Sequence, residues 1–105
     1  MRIFVCGSCP LGQVGFAETL RSATALLPFP AEVVQTDCMS GCARASTVAF
    51  RSAAKVAYLF GDLTAADLPD LLAFAALYDA TPDGRFADAR PLGGLRTKAL
   101  ARIPV

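Results

Sequence analysis

Histidine is absent from this chain of 105 residues, and its absence excludes several kinds of site. A Ser-His-Asp triad, a Cys-His nucleophile pair and a zinc finger with mixed His and Cys ligands cannot be built. A Rieske cluster, which needs two His ligands, is excluded as well. Any catalysis or metal binding must therefore use other side chains.

An excess of charge of one sign and long apolar runs are also lacking. The formal net charge is +1, and 54% of the residues are apolar, as expected for one packed domain rather than a disordered chain. Near-neutral charge argues against a nucleic-acid partner, because phosphate binding needs a basic surface. The longest apolar run, Leu71 to Tyr78, is too short for a membrane helix. Met1-Arg2 leads directly into a strand-like run with no room for a signal peptide, so we expect a soluble cytoplasmic protein with no membrane partner.

The spacing of apolar residues predicts an α/β domain. Strand-like runs cover residues 2–5, 31–36, 46–51 and 55–60, and helical spacing covers about 12–27 and 67–79. The element order is therefore β-α-β-β-β-α. A helical crossover makes the first two strands parallel, and the later hairpin adds antiparallel strands. We expect a minimal thioredoxin-like fold, with a four-stranded mixed sheet and a helix on each face.

The last quarter of the chain differs in charge from the rest. Residues 81–105 have a net charge of +3, whereas residues 1–80 have a net charge of −2. We therefore divide the chain into a cysteine-containing domain, 1–80, and a basic C-terminal tail, 81–105. The tail is expected to pack on the domain or to be partly disordered, and docking of a partner is the alternative to a solvated surface.

Four cysteines carry the strongest functional signal. Cys6 and Cys9 follow the first predicted strand, and Cys38 and Cys42 follow the second. Because the carboxyl ends of parallel strands lie at the same edge of a sheet, the two cysteine pairs are expected to converge there.

Four converging thiols are typical of three kinds of site. A zinc ion bound by four thiolates uses two short loops of paired cysteines, as this sequence provides. An iron–sulfur cluster needs four thiolates together with small residues and backbone N–H groups near the inorganic sulfides. Small residues occur within both loops, at Gly7, Ser8, Ser40 and Gly41.

The third kind of site is a redox-active dithiol formed by Cys6 and Cys9. Its reactivity would depend on a lowered thiol pKa. The alternative to all three sites is that the cysteines are only buried apolar side chains. Two close pairs at matching strand ends argue against this alternative.

In the placement of its four cysteines the chain resembles the thioredoxin-like [2Fe-2S] ferredoxins and the related subunit of respiratory NADH dehydrogenases. Almost the whole chain also resembles a bacterial family of unknown function described as predicted metal-binding proteins. The matching segments are Val5-Cys6-x2-Cys9, Cys38-x3-Cys42-Ala43-Arg44, Tyr58-x-Phe60-Gly61-Asp62-Leu63, Tyr78-x3-Pro82-Asp83-Gly84 and Ala101-Arg102-Ile103-Pro104.

The resemblance implies a small [2Fe-2S] electron carrier, rather than an enzyme, that works with a redox partner protein. Cys6 and Cys9 would bind one iron and Cys38 and Cys42 the other, or the pairs would interleave. Arg44 would either raise the reduction potential or be an ordinary surface cation. The ferredoxins separate their first two cysteines by four or more residues, whereas the spacing here is two, which suits zinc. A zinc or other metal-binding module without redox activity is therefore the alternative, and a dithiol oxidoreductase is the second. The sequence leaves the oligomeric state open.

Overall fold

The structure, a computed structural model, describes residues 1–37, 45–86 and 90–105. Within these ranges the strands are β1 (Arg2–Cys6), β2 (Glu32–Thr36), β3 (Val48–Arg51), β4 (Ala57–Phe60) and β5 (Ala99–Ile103). The α-helices are α1 (Pro10–Gln13), α2 (Phe16–Thr24) and α3 (Leu68–Ala80), and short 3-10 segments cover Ala65–Asp67 and Arg90–Thr97. In the described part of the chain, every helix is too short or too polar to cross a membrane.

The strands form a mixed sheet in the order β2-β1-β3-β4-β5. β1 and β2 are parallel, as the helical crossover between them predicts. The other neighbouring pairs are antiparallel, including the hairpin of β3 and β4. The carboxyl ends of β1 and β2, which the cysteine pairs follow, therefore lie at one edge of the sheet.

The prediction of four strands is wrong, because the C-terminal segment adds a fifth. β5 pairs with β4, so that Leu59 lies opposite Ala101. This pairing satisfies backbone groups that the open edge of β4 would otherwise leave unbonded. Leu95, just before β5, is fully buried, and the Tyr58 hydroxyl donates a 2.5 Å hydrogen bond to the Gly84 carbonyl. Described parts of 81–105 thus belong to the sheet and its core.

The first predicted helix, 12–27, is interrupted and shorter than expected. Gly15 has a φ of 87°, in the left-handed region, and separates α1 from α2. A left-handed residue cannot continue a right-handed helix, and glycine adopts this conformation without steric cost. The second helix begins one residue later than predicted, at Leu68.

The expectation of one helix on each face of the sheet is also wrong. The strand register places Ile3, Val33 and Phe50 on one face, and all three are buried in a single apolar core. α2 and α3 contact each other and supply core residues to this same face. Phe4, on the other face, is only half-buried. α3 lies on the same face as α2 because the aromatic side chains of β3 and β4 point to that face, and the aromatic side chains of α3 pack on them.

Candidate metal centre

The thiols of Cys6 and Cys9 are in contact at the end of β1. Cys9 Sγ donates to Cys6 Sγ across 3.1 Å, a separation well beyond the roughly 2.05 Å of a disulfide bond. Cys6 is 1% exposed and Cys9 is 6% exposed. The Cys-x2-Cys spacing therefore forms a buried pair of thiols that face each other.

The short helix α1 holds this pair together. Gln13 N–H donates to the Cys9 carbonyl at 2.9 Å, which closes the first helical turn, and Pro10 occupies a position where no N–H is needed. Gly12 packs directly on the end of β1: a Cβ atom there would lie 1.9 Å from the Cys6 carbonyl oxygen. Only a residue without a side chain allows α1 to approach Cys6 so closely.

The residues between the two cysteines bind the first loop to the end of β2. Gly7 N–H donates to the Thr36 carbonyl at 2.6 Å, and Ser8 N–H donates to the Asp37 carbonyl at 3.2 Å. These amides therefore act as a brace between the two strand ends. Because both amides already donate to backbone carbonyls, this observation counts against the expectation that they support a cluster.

The second cysteine loop lies outside the described residues. This applies to Cys38, Ser40, Gly41, Cys42 and Arg44. The described residue before it, Asp37, has its carbonyl oxygen 3.5 Å from Cys6 Sγ.

The described residues after the second loop also contact the first loop. Ser46 Oγ accepts a 3.1 Å hydrogen bond from Leu11 N–H. The Thr47 carbonyl accepts a 3.2 Å hydrogen bond from Cys6 N–H. Both flanks of the second loop are therefore joined to the segment that carries Cys6 and Cys9.

Thr47 is a neighbour of the thiol pair that the sequence analysis missed. Its hydrogen bond with Cys6 extends the pairing of β1 and β3 by one residue, so the two side chains lie on the same face of the sheet. Thr47 is 2% exposed, and Oγ1 has no hydrogen-bond partner within the described residues. A threonine in a strand-like run is common, and only the β1–β3 register identifies this one.

Cys6 and Cys9 are the described side chains that could hold a metal ion. Among residues 1–37, 45–86 and 90–105, no group of three or more Cys, Asp or Glu side chains is arranged around a common point. Two thiolates make half of a tetrahedral site, and a complete one needs two further donors.

Comparison with known proteins yields a family. Residues 3–105 match the family described as "Protein of unknown function (DUF1636)". No curated protein and no solved structure matches the chain.

Proposed function

The chain belongs to the DUF1636 family, and we propose that this member is a small [2Fe-2S] electron carrier whose ligands are Cys6, Cys9, Cys38 and Cys42. The observation that carries the proposal is the buried contact between the Cys6 and Cys9 thiols, 3.1 Å apart at the carboxyl end of β1. A cytoplasmic location and a protein redox partner belong to the same proposal.

The thiol pair suits a thiophilic metal in both chemistry and spacing. Thiolates select zinc, copper(I) and iron–sulfur clusters over hard cations such as magnesium and calcium. Two sulfurs bound to one metal at about 2.3 Å lie about 3.8 Å apart, so a small separation of Cys6 and Cys9 admits the ion. The two sulfurs already face each other across 3.1 Å, so little backbone movement is required.

Chain connectivity supports participation of the second cysteine pair. Asp37 immediately precedes Cys38, and its carbonyl oxygen lies 3.5 Å from Cys6 Sγ. The described chain therefore reaches the Cys6 thiol one residue before Cys38 in the sequence. Ala45, three residues after Cys42, is anchored by the 3.1 Å hydrogen bond from Asp62 N–H to its carbonyl.

The thioredoxin-like character of the fold is part of the proposal. The strand order β2-β1-β3-β4, with one parallel pair followed by two antiparallel pairs, supports this part of the proposal. β5 is then an addition at the β4 edge.

The residues around the thiols suit electron transfer. A [2Fe-2S] cluster supplies a centre that accepts and returns one electron. Burial of Cys6 and Cys9 keeps water away from the sulfurs. The bonds from Gly7 N–H to Thr36 and from Ser8 N–H to Asp37 fix one strand end against the other, which limits movement of the ligands when the charge changes. Arg44, two residues after Cys42 in the sequence, would raise the reduction potential of the cluster.

A zinc centre with the same four cysteines is the second candidate, and one observation favours it. The amides of Gly7 and Ser8 donate to backbone carbonyls, so neither is available to inorganic sulfide ions without rearrangement. A zinc ion needs only the four thiolates. Its function would then be structural or docking, without redox chemistry.

A dithiol oxidoreductase is the weakest of the three candidates. The 3.1 Å contact of Cys6 with Cys9 favours it, but a nucleophilic thiol must be reached by its substrate. Exposed fractions of 1% and 6% oppose that access.

Single substitutions of the four cysteines distinguish the candidates. If all four thiolates are ligands, Cys6→Ser, Cys9→Ser, Cys38→Ser and Cys42→Ser each lose most of the bound metal after anaerobic preparation. Ser8→Ala, an exposed change within the same loop, is the matched control and retains it. Dithiol-reductase activity that survives Cys38→Ser and Cys42→Ser but not Cys6→Ser would contradict the proposal. Zinc in place of iron with sulfide would establish the second candidate instead.

A further inference from the structure

The hydroxyl group of Thr47 is an uncompensated polar atom beside the thiol pair. Thr47 is 2% exposed and, within the described chain, Oγ1 has no hydrogen-bond partner. Burying a hydroxyl without a partner costs about 1–3 kcal/mol, and buried polar groups in native proteins are normally bonded. A hydroxyl retained at such a cost indicates a partner other than the described protein groups.

The strand register places the Thr47 side chain beside that of Cys6. The last paired residues of β1 and β3 are Val5 and Val48, and the hydrogen bond from Cys6 N–H to the Thr47 carbonyl continues that register. Directly opposed residues of an antiparallel pair have their Cβ atoms about 5 Å apart on the same face. Thr47 therefore shares the face and the level of the Cys6 thiol.

The protons of the thiol pair explain why the Cys6 sulfur becomes a stronger acceptor when a metal ion binds. In the structure, Cys9 donates to Cys6 Sγ, and Cys6 donates to the Asp37 carbonyl at 3.5 Å. Metal binding releases both protons to solvent and leaves two thiolates, which only accept hydrogen bonds. Cys6 can then no longer donate to Asp37, and its sulfur gains negative charge that a nearby donor would stabilise.

We infer that the Thr47 hydroxyl donates a hydrogen bond to the metal-bound sulfur of Cys6 and thereby tunes the centre. This inference rests on the proposed function, and it gives Thr47 the role of a positioning residue that acts through Cys6. Hydrogen bonds to cluster sulfurs stabilise the more negative, reduced form and raise the reduction potential. On a zinc centre the same bond strengthens retention of the ion.

Thr47→Val tests the inference, because it replaces the hydroxyl by a methyl group of similar size, and Thr47→Ser is the control that keeps the hydroxyl. Without metal, Thr47→Val should melt at the same temperature as the wild type or higher, since it removes a polar atom that has no partner among the described residues.

After anaerobic reconstitution with ferrous iron and sulfide, Thr47→Val should lower the equilibrium constant for reduction of the cluster about tenfold, equal to about 59 mV for one electron. If the chain takes zinc, affinity for Zn²⁺ measured against a chelator should fall about tenfold. Thr47→Ser should remain close to the wild type in the reduction equilibrium and in the affinity for Zn²⁺.

The contrary results separate this inference from the function on which it rests. A wild-type chain that binds metal while Thr47→Val and Thr47→Ser behave alike overturns the role of Thr47 and leaves the proposed function standing. A Thr47→Val chain that is destabilised or unfolded without metal also overturns the inference, because the hydroxyl would then have a partner within the chain. A wild-type chain that binds neither iron nor zinc overturns both.

Discussion

Gly12 is the residue on which the geometry of the thiol pair depends most directly. Cys9 immediately precedes α1, and α1 can pack against β1 only if position 12 carries no side chain, because a Cβ atom would lie 1.9 Å from the Cys6 carbonyl oxygen. That oxygen belongs to the backbone and cannot move aside without displacing the end of β1. The close approach of the two cysteines is therefore a consequence of one glycine.

Gly12→Ala is expected to lower the free energy of unfolding by about 2 kcal/mol and to expose the two thiols. Denaturant titration measures the first effect, and the rate of thiol alkylation measures the second. Val14→Ala, at a position 80% exposed on the adjoining turn, should change the stability by less than about 0.5 kcal/mol. Slow alkylation and unchanged stability in Gly12→Ala would contradict the packing of α1 on β1.

Asp67 forms the most buried ion pair among the described residues. Lys98 Nζ donates to Asp67 Oδ2 at 2.6 Å, and Thr64 N–H donates to the same oxygen at 2.8 Å. Burial by itself would raise the pKa of Asp67, but the hydrogen bonds from Lys98 and Thr64 outweigh it and hold the pKa below the usual 3.8. Because this folded-state pKa is depressed, the carboxylate stabilises the fold above about pH 4, and the stabilisation is lost as the pH falls further.

Asp67→Asn should therefore cost about 2 kcal/mol of stability at neutral pH and weaken the loss of stability on acidification. Unfolding measured from neutral pH to about pH 3 provides the comparison. Glu18→Gln, which removes an exposed carboxylate on α2, is the control and should change the stability at neutral pH by less than about 0.5 kcal/mol. An Asp67→Asn profile parallel to that of the wild type would exclude the depressed pKa.

At the scale of elements, β5 and the turns before it make the C-terminal segment part of the folded body. Leu95 is fully buried in the core that α3 shares with the sheet, and β5 covers the edge of β4. Leu95→Ala should lower the free energy of unfolding by about 3 kcal/mol, because it leaves a cavity. The same substitution at Leu26, which is 88% exposed, should change it by less than about 0.5 kcal/mol. Equal stabilities in a denaturant titration would mean that residues 90–105 behave as a solvated tail.

The elements that the sequence predicted well are those with strong apolar patterns. The first four strands and α3 lie within about two residues of the expected positions. β5 was missed because Ala99–Ile103 lacks the alternation of a half-buried strand and lies among basic residues. The side of the sheet occupied by α3 was also missed, since handedness rules apply to parallel crossovers and α3 follows an antiparallel hairpin.

At the scale of the whole molecule, three strand ends and one short helix meet around the first cysteine pair. The Cys-x2-Cys spacing predicted the contact of Cys6 with Cys9, and the helical crossover predicted the parallel pairing that brings the end of β2 beside them. Thr47 could not be predicted, because its position depends on the β1–β3 register, which no local pattern specifies. Convergence of Cys38 and Cys42 on this point remains a prediction.

The iron and acid-labile sulfide content of the protein, isolated without oxygen and analysed for zinc in the same sample, tests the central claim most directly. A [2Fe-2S] carrier should contain iron and sulfide in equal amounts, about two of each per chain, and lose part of its visible absorption on one-electron reduction. A colourless protein that contains zinc alone, or no metal with its thiols intact, would contradict the account.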